Sequence, residues 1–138
     1  MGDSQQSSDG VHIERGRRGE QLAAEYLRER GWTIEKRNFE TKAGEIDIIA
    51  RRELDDEPGR LVAVVEVKSR TSPGRMTPEL AVTSKKRRRL TRAARYYDRI
   101  HGMARTAYRF DVVAVDFSTS PPEITHFDGA FDASGNPY

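Results

Sequence analysis

An α/β fold is what the order of hydrophobic patterns along these 138 residues predicts. Two runs rich in β-branched residues, Gly44 to Ala50 and Leu61 to Lys68, flank a polar stretch with Pro58-Gly59 and read as a β-hairpin. Helix-period segments lie on either side of it. Two stretches, Leu61 to Val65 and Tyr108 to Asp116, are apolar on both faces, the mark of strands buried on both sides. The resulting order is α-β-β-β-α-β-β.

The length suits one domain with a real core, expected over residues 14–127, with a disordered polar tail at 1–13 and a C-terminal tail at 128–138. A content of 36% hydrophobic and 33% charged residues describes a soluble globular chain with a heavily charged surface. No apolar run approaches the roughly 20 residues of a membrane-spanning helix, and the N-terminus shows no signal-like apolar region. No membrane partner is expected. With no cysteine there are neither disulfides nor thiolate zinc sites, which fits a cytoplasmic location.

The first helix is expected from Glu14 or Gly16 to Arg30, closed by Gly31. Ala23, Ala24, Tyr26 and Leu27 form its inward stripe, and Glu20 lies on the same stripe. An inward glutamate is either a hydrogen-bonded helix start or a group reaching toward other carboxylates. Trp32 to Phe39 reads as the first strand. Gly44, after a short connection, is expected to take a backbone conformation closed to other residues.

The hairpin carries the chemistry. With its turn centred between Asp56 and Glu57, Asp47 faces Glu66 and Glu45 faces Lys68, all four on one face. Opposed carboxylates repel unless something positive lies between them. Lys68 is one candidate, a divalent cation another, and a buried ion-pair network of the four residues is the structural alternative. Ser69 to Met76 is expected as a loop at the mouth of this cluster, offering Arg70 and Arg75 to a substrate or simply to solvent.

Thr77-Pro78-Glu79 has the cap, proline and acid of a helix start, and the helix is expected to reach His101, with a break near Thr83-Ser84 and Gly102 closing it. Leu90, Ala93, Tyr97 and Ile100 form its inward stripe, with Lys86 one turn earlier. Arg88, Arg92, Arg95 and Arg99 fall roughly opposite. Tyr108 to Asp116 follows as a core strand in which Asp111 breaks the apolar pattern, beside the cluster or in a salt bridge. Glu123 to Phe127 is a short edge strand. His12, His101 and His126 have no ligand spacing and are expected at the surface.

Residues 75–105 hold ten Lys/Arg against Glu79 and Asp98, whereas residues 110–138 have no Lys or Arg and five acids. That asymmetry is the footprint of a nucleic-acid binder, with Arg70, Arg75, Lys85, Arg88, Arg92, Arg95 and Arg99 as candidate phosphate contacts. Converging carboxylates make an all-oxygen site that prefers Mg²⁺ or Mn²⁺.

Asp47 followed by Glu66-Val67-Lys68 after a strand resembles the PD-(D/E)XK signature of restriction-endonuclease-like nucleases. Glu20 on the preceding helix resembles the extra acid of the archaeal Holliday-junction resolvases in that superfamily. More closely, Gly19-Glu20, Gly31-Trp32, Arg37-Asn38, Gly44 to Ala50, Val65 to Arg70, Lys86, Arg89-Leu90 and Arg109 to Val113 look like the YraN-like family, small bacterial proteins expected to share the nuclease fold. The likeness covers about residues 14–127. It implies a restriction-endonuclease-like architecture, a central mixed sheet flanked by helices. It also implies Asp47, Glu66 and Lys68 as catalytic residues, Glu20, Asp47 and Glu66 as ligands of Mg²⁺ or Mn²⁺, and a homodimer. Glu45, Lys86 and Asp111 are further candidates. Ile46 stands where the superfamily signature has proline.

Two functions follow. One is a metal-dependent DNA endonuclease acting on branched or single-stranded substrates. The other is a DNA-binding or repair-assembly module that keeps the fold without turnover. The carboxylate pair favours the first.

Overall fold

In the computed structural model, which describes residues 3–71 and 82–131, the chain runs α1 (Asp3–Glu29), β1 (Thr33–Glu40), β2 (Glu45–Glu53), β3 (Arg60–Arg70), α2 (Ser84–His101), β4 (Thr106–Asp116) and β5 (Glu123–Phe131). The strands form one sheet in the order β1-β2-β3-β4-β5. Only β3 and β4 are parallel, so the sheet is mixed, as expected. Alternate side chains take opposite faces. On one face Ile48, Ala50, Ala63, Val65, Val113 and Val115 pack with Ala23, Ala24 and Leu27 of α1. On the other, Ile49, Val62, Val64, Phe110 and Val112 pack with Leu90, Ala93, Ala94 and Tyr97 of α2. The sheet is therefore sandwiched between the helices, with β3 and β4 buried on both sides.

The hairpin has the predicted register, from Glu53 opposite Arg60 to Ile48 opposite Val65. Leu54 N–H closes the turn on the Gly59 carbonyl at 3.0 Å. α1 ends as expected: Gly31 takes φ +90°, its N–H bonds the Arg28 carbonyl, and Trp32 N–H bonds Leu27. Its start differs, because the helix continues back to Asp3 through the segment expected to be disordered. Once a turn is nucleated, each added residue gains a hydrogen bond for little cost, so a polar extension can stay helical.

At Thr83-Ser84, where a break is expected, a helix begins. Thr83 is extended and accepts Lys86 N–H at 3.2 Å, beginning α2 at Ser84. The expected start at Thr77-Pro78-Glu79, and Arg75, lie outside the described residues. Ile100 is 51% exposed and leaves the inward stripe. The stripe drifts instead toward His101, whose ring meets Tyr97 and Phe39 at 5.1 and 6.5 Å.

Two strands outrun their expected ends. Ser69 and Arg70 continue β3, paired with Val115 and Asp116, where a loop was expected. β5 reaches Phe131, which pairs with Phe110 across a register shift. At the opposite edge, β1 carries an irregularity between Ile34 and Lys36, and Asn38 has a positive φ of 53°. Among the described residues, no helix is long and apolar enough to cross a membrane.

Candidate active site

The β2–β3 ladder ends at Ile48 and Val65. Past that point the Asp47 carboxylate takes the place of a strand partner, its Oδ2 accepting Val67 N–H at 2.8 Å. The expected opposition of Asp47 to Glu66 and Glu45 to Lys68 in a continuing ladder is therefore corrected. Glu45 is exposed and pairs with Glu40 of β1. Asp47 and Glu66 remain neighbours because side chain, not main chain, bridges the strands.

Glu66 shares the α2 face with Val62 and Val64 and is 3% exposed. Its Oε1 lies 2.5 Å from Lys86 Nζ and 3.4 Å from Lys68 Nζ. Its Oε2 is buried and accepts no hydrogen bond from the described residues. Such an orphaned acceptor is costly, and in a native structure it signals a missing partner. Asp47 is under related stress. Burial, then the Glu66 charge, pushes its carboxyl up to about 7 against the opposing pull of the Val67 hydrogen bond, with Glu20 adding to the rise. Burial and the charges of Glu20, Glu40 and Glu66 also raise Glu45. Burial alone would lower Lys86, but its bond to Glu66 and the Glu66 and Asp47 charges outweigh that and hold it above the usual lysine value. The carboxylates of Glu20, Glu45, Asp47 and Glu66 outnumber the neighbouring cations Lys68, Lys86 and Arg37.

Glu20 approaches from the other helix. Gly19 lies against Ser69 of β3, where a Cβ would collide with the serine hydroxyl. That close approach brings Glu20 to Arg37, with Nη2 and Oε2 3.9 Å apart. Among the described residues, no three carboxylate or imidazole groups converge closely enough to hold a metal ion. Glu20 thus stands beside the Asp47–Glu66 pair without joining it. A small hard cation does not need a third protein ligand: Mg²⁺ commonly keeps several waters and uses one or two carboxylates plus substrate phosphate. The buried, unpartnered Glu66 Oε2 and an all-oxygen donor set fit such an ion, with Asp47 and Glu66 as the residues that would hold it.

The remaining candidates divide. Asp111 does not belong to this cluster. It is fully buried on the α1 face, where Arg109 donates from Nε and Nη2 at 2.9 and 3.0 Å. His126 Nε2 lies 2.8 Å from it, and Gly129 N–H donates at 3.0 Å. Burial pushes its carboxyl up, but His126, Arg109 and Gly129 outweigh this and hold it below the ordinary value. His126 is correspondingly not the surface residue expected. It sits opposite Val113, two residues from the half-buried Ile124 and so on the same inward face, a spacing that was legible in the sequence. Arg70 shares the Glu66 face but lines a recess with Asp116 and Glu123. Lys85, Arg88, Arg92, Arg95 and Arg99 are all exposed, as expected of phosphate contacts. Arg87, from the same basic run, is buried, with Nε donating to the Val82 carbonyl at 2.9 Å.

Comparison with known proteins adds the lineage. The profile of the uncharacterised protein family UPF0102 matches residues 19–115. A UPF0102 protein of Anaeromyxobacter dehalogenans is 44% identical over 122 residues, 88% of this chain and 87% of the relative. One from Syntrophotalea carbinolica is 42% identical over 87% of this chain and 93% of its own. One from Geobacter metallireducens is 40% identical over 85% and 91%. None of these names describes an activity.

Proposed function

This chain belongs to the uncharacterised protein family UPF0102, and we propose that it is a divalent-metal-dependent DNA endonuclease of the cytoplasm centred on Asp47, Glu66 and Lys68. The observation that carries this reading is the Asp47–Glu66 pair, half-buried and buried respectively, with one oxygen of Glu66 unpartnered among the described residues and the Asp47 carboxyl raised to about 7. A protein that buried these acids for stability alone would have satisfied them. Asp47 and Glu66 bind Mg²⁺ or Mn²⁺, with Glu20 adding negative potential from α1. When bound, the ion supplies Lewis-acid stabilisation of the scissile phosphate.

The chain's own groups do the rest. Val67 N–H fixes the orientation of Asp47. Lys68, on the strand face of Glu66 and 3.4 Å from it, is placed to donate to a phosphate oxygen as negative charge builds there, or to orient the attacking water. Lys86 reaches Glu66 from a helix, so it can yield Oε1 without disturbing the sheet. The exposed arginines of α2 hold the polyanion nearby.

The contact between Lys86 and Glu66 also favours a second reading, a DNA-binding or repair-assembly module in which lysine permanently fills the cation's place. Cleavage of a labelled panel (single strand, duplex, flap and four-way junction) in Mg²⁺ and Mn²⁺ separates the two. Metal-dependent cutting by the wild type that disappears in Asp47→Ala and in Lys68→Ala is the expected result. DNA shifted but uncut, with equal binding by all three proteins, would establish the module instead.

A further inference from the structure

A groove of about 770 Å³ lies between the β1–β2 connection and α2, and Lys42, Arg92 and Arg99 line it, with Glu40 as its one acid among the described residues. Tyr96 lies among these bases and is 40% exposed. The ring is not loose: buried Phe39 stands 6.2 Å from it at a tilt of 37°. The Arg99 guanidinium lies 5.6 Å from the ring centroid, where a flat cation can share the face or yield it to another planar group. A steadied aromatic face among three bases matches two features of a polynucleotide, the phosphate charge and the flat base. A base in a duplex has both faces stacked, so only an unpaired strand offers one to Tyr96.

The groove is also continuous with the acidic site. Lys86, Arg89, Arg92, Tyr96 and Arg99 follow one another at three- and four-residue steps along one flank of α2, beginning at Glu66 and passing Gly44, where a Cβ would lie 3.4 Å from that of Arg89. At the helical rise, Lys86 and Tyr96 are about 15 Å apart along the axis, the reach of a few nucleotides of extended strand.

We propose that Tyr96 is a base-stacking platform, which with Lys42, Arg92 and Arg99 receives an unpaired strand a few nucleotides from the phosphate at the Asp47–Glu66 site. The inference rests on the nuclease reading for its register and deepens it by naming the substrate class. Binding, however, can be read without turnover. The probe is a fluorescein-labelled oligothymidylate, with a duplex of the same length as control, measured by anisotropy in EDTA on the Asp47→Ala background.

Tyr96→Ala is expected to weaken oligothymidylate binding roughly tenfold, the loss of one stacked base, and to leave duplex binding unchanged. Tyr96→Trp should retain affinity. A single abasic nucleotide at one position should cost the wild type as much as Tyr96→Ala does and cost Tyr96→Ala nothing further. Arg92→Gln should weaken both probes and lower the slope of log affinity against log salt by about 1. Equal affinity of Tyr96→Ala and the parent for oligothymidylate, or an equal loss on both probes, would overturn the proposal. Wild-type cutting that depends on Asp47 but ignores Tyr96 removes the platform and keeps the nuclease. Stacking without cutting of any substrate does the reverse.

Discussion

Asp111 and Asp47 each offer a carboxylate to a main-chain N–H where a strand ladder is interrupted. Asp111 serves Gly129 at 3.0 Å beside the β4–β5 register shift, and Asp47 serves Val67 at 2.8 Å beyond the end of β2–β3. There the likeness stops. Asp111 also has a two-point arginine and a histidine, which hold its carboxyl below the ordinary value although no part of it meets water. Asp47 is less buried yet raised, by its burial first and then by the Glu66 charge, which the single Val67 N–H does not offset. Burial by itself therefore does not mark an acid as functional. The deficit of cations and donors around it does, and by that measure Asp111 is structural and the Asp47–Glu66 pair is not.

The sharpest test is to remove each acid in turn. Asp111→Ala leaves a half-buried guanidinium and imidazole without the anion at their centre, and should destabilise the protein by about 3–5 kcal/mol in urea unfolding. A loss below about 1 kcal/mol, the value of an exposed pair, would erase the contrast.

Asp47→Asn, which keeps an acceptor for Val67, should behave oppositely. A carboxyl raised on folding favours the native state when protonated, so its contribution is best below the ordinary 3.8 and is lost as pH rises through about 7. Metal-free wild type should lose up to a few kcal/mol over that window, and Asp47→Asn should not. Mn²⁺ should restore thermal stability to the wild type more at pH 8 than at pH 6, and do little for the variant. Asp111, with its lowered value, has the opposite slope: its contribution is present above the ordinary carboxylate range and fades as pH falls through its folded value. Parallel stability profiles for Asp47→Asn and wild type would show that Asp47 is not strained.

Lys86→Gln gives the smallest change. Lys68 still faces Glu66, and Lys86 is partly exposed, so the metal-free cost is about 1 kcal/mol. Mn²⁺ affinity by calorimetry should rise several-fold, since one competing cation is gone. A fall would make Lys86 a fixed part of the site, the counterpart of Arg109 beside Asp111.

Much of this was legible because it is local. The turn chemistry at Pro58-Gly59 fixed the hairpin register, and the Glu66-Val67-Lys68 spacing put acid and lysine on one face. The end of the ladder at Ile48 was not legible, since it depends on a side chain taking over a main-chain role. Arg109 lies two residues from Asp111, but the His126 and Gly129 contacts that complete its shell come from β5, beyond a register shift, and these no local pattern shows. His126 has no metal-ligand spacing, yet its two-residue spacing from Ile124 puts it on the inward face. The α2 stripe departs from the expected one at Ile100, where a 3.6-residue period drifts from a 3.5-residue one, and is wider, taking in Arg87, Thr91 and Ala94.

The irregular β1 has a consequence beyond the site. An open sheet exposes unpaired N–H and C=O groups along both margins, a template on which further chains can accrete. Here one margin is kinked between Ile34 and Lys36, turned again at the left-handed Asn38, and studded with Glu35, Lys36 and Arg37. A neighbouring strand finds no straight row of partners and meets charge along the way. That margin ends the sheet, so a protein carrying a repulsive acid pair still has a built-in guard against growing into fibrils from that side.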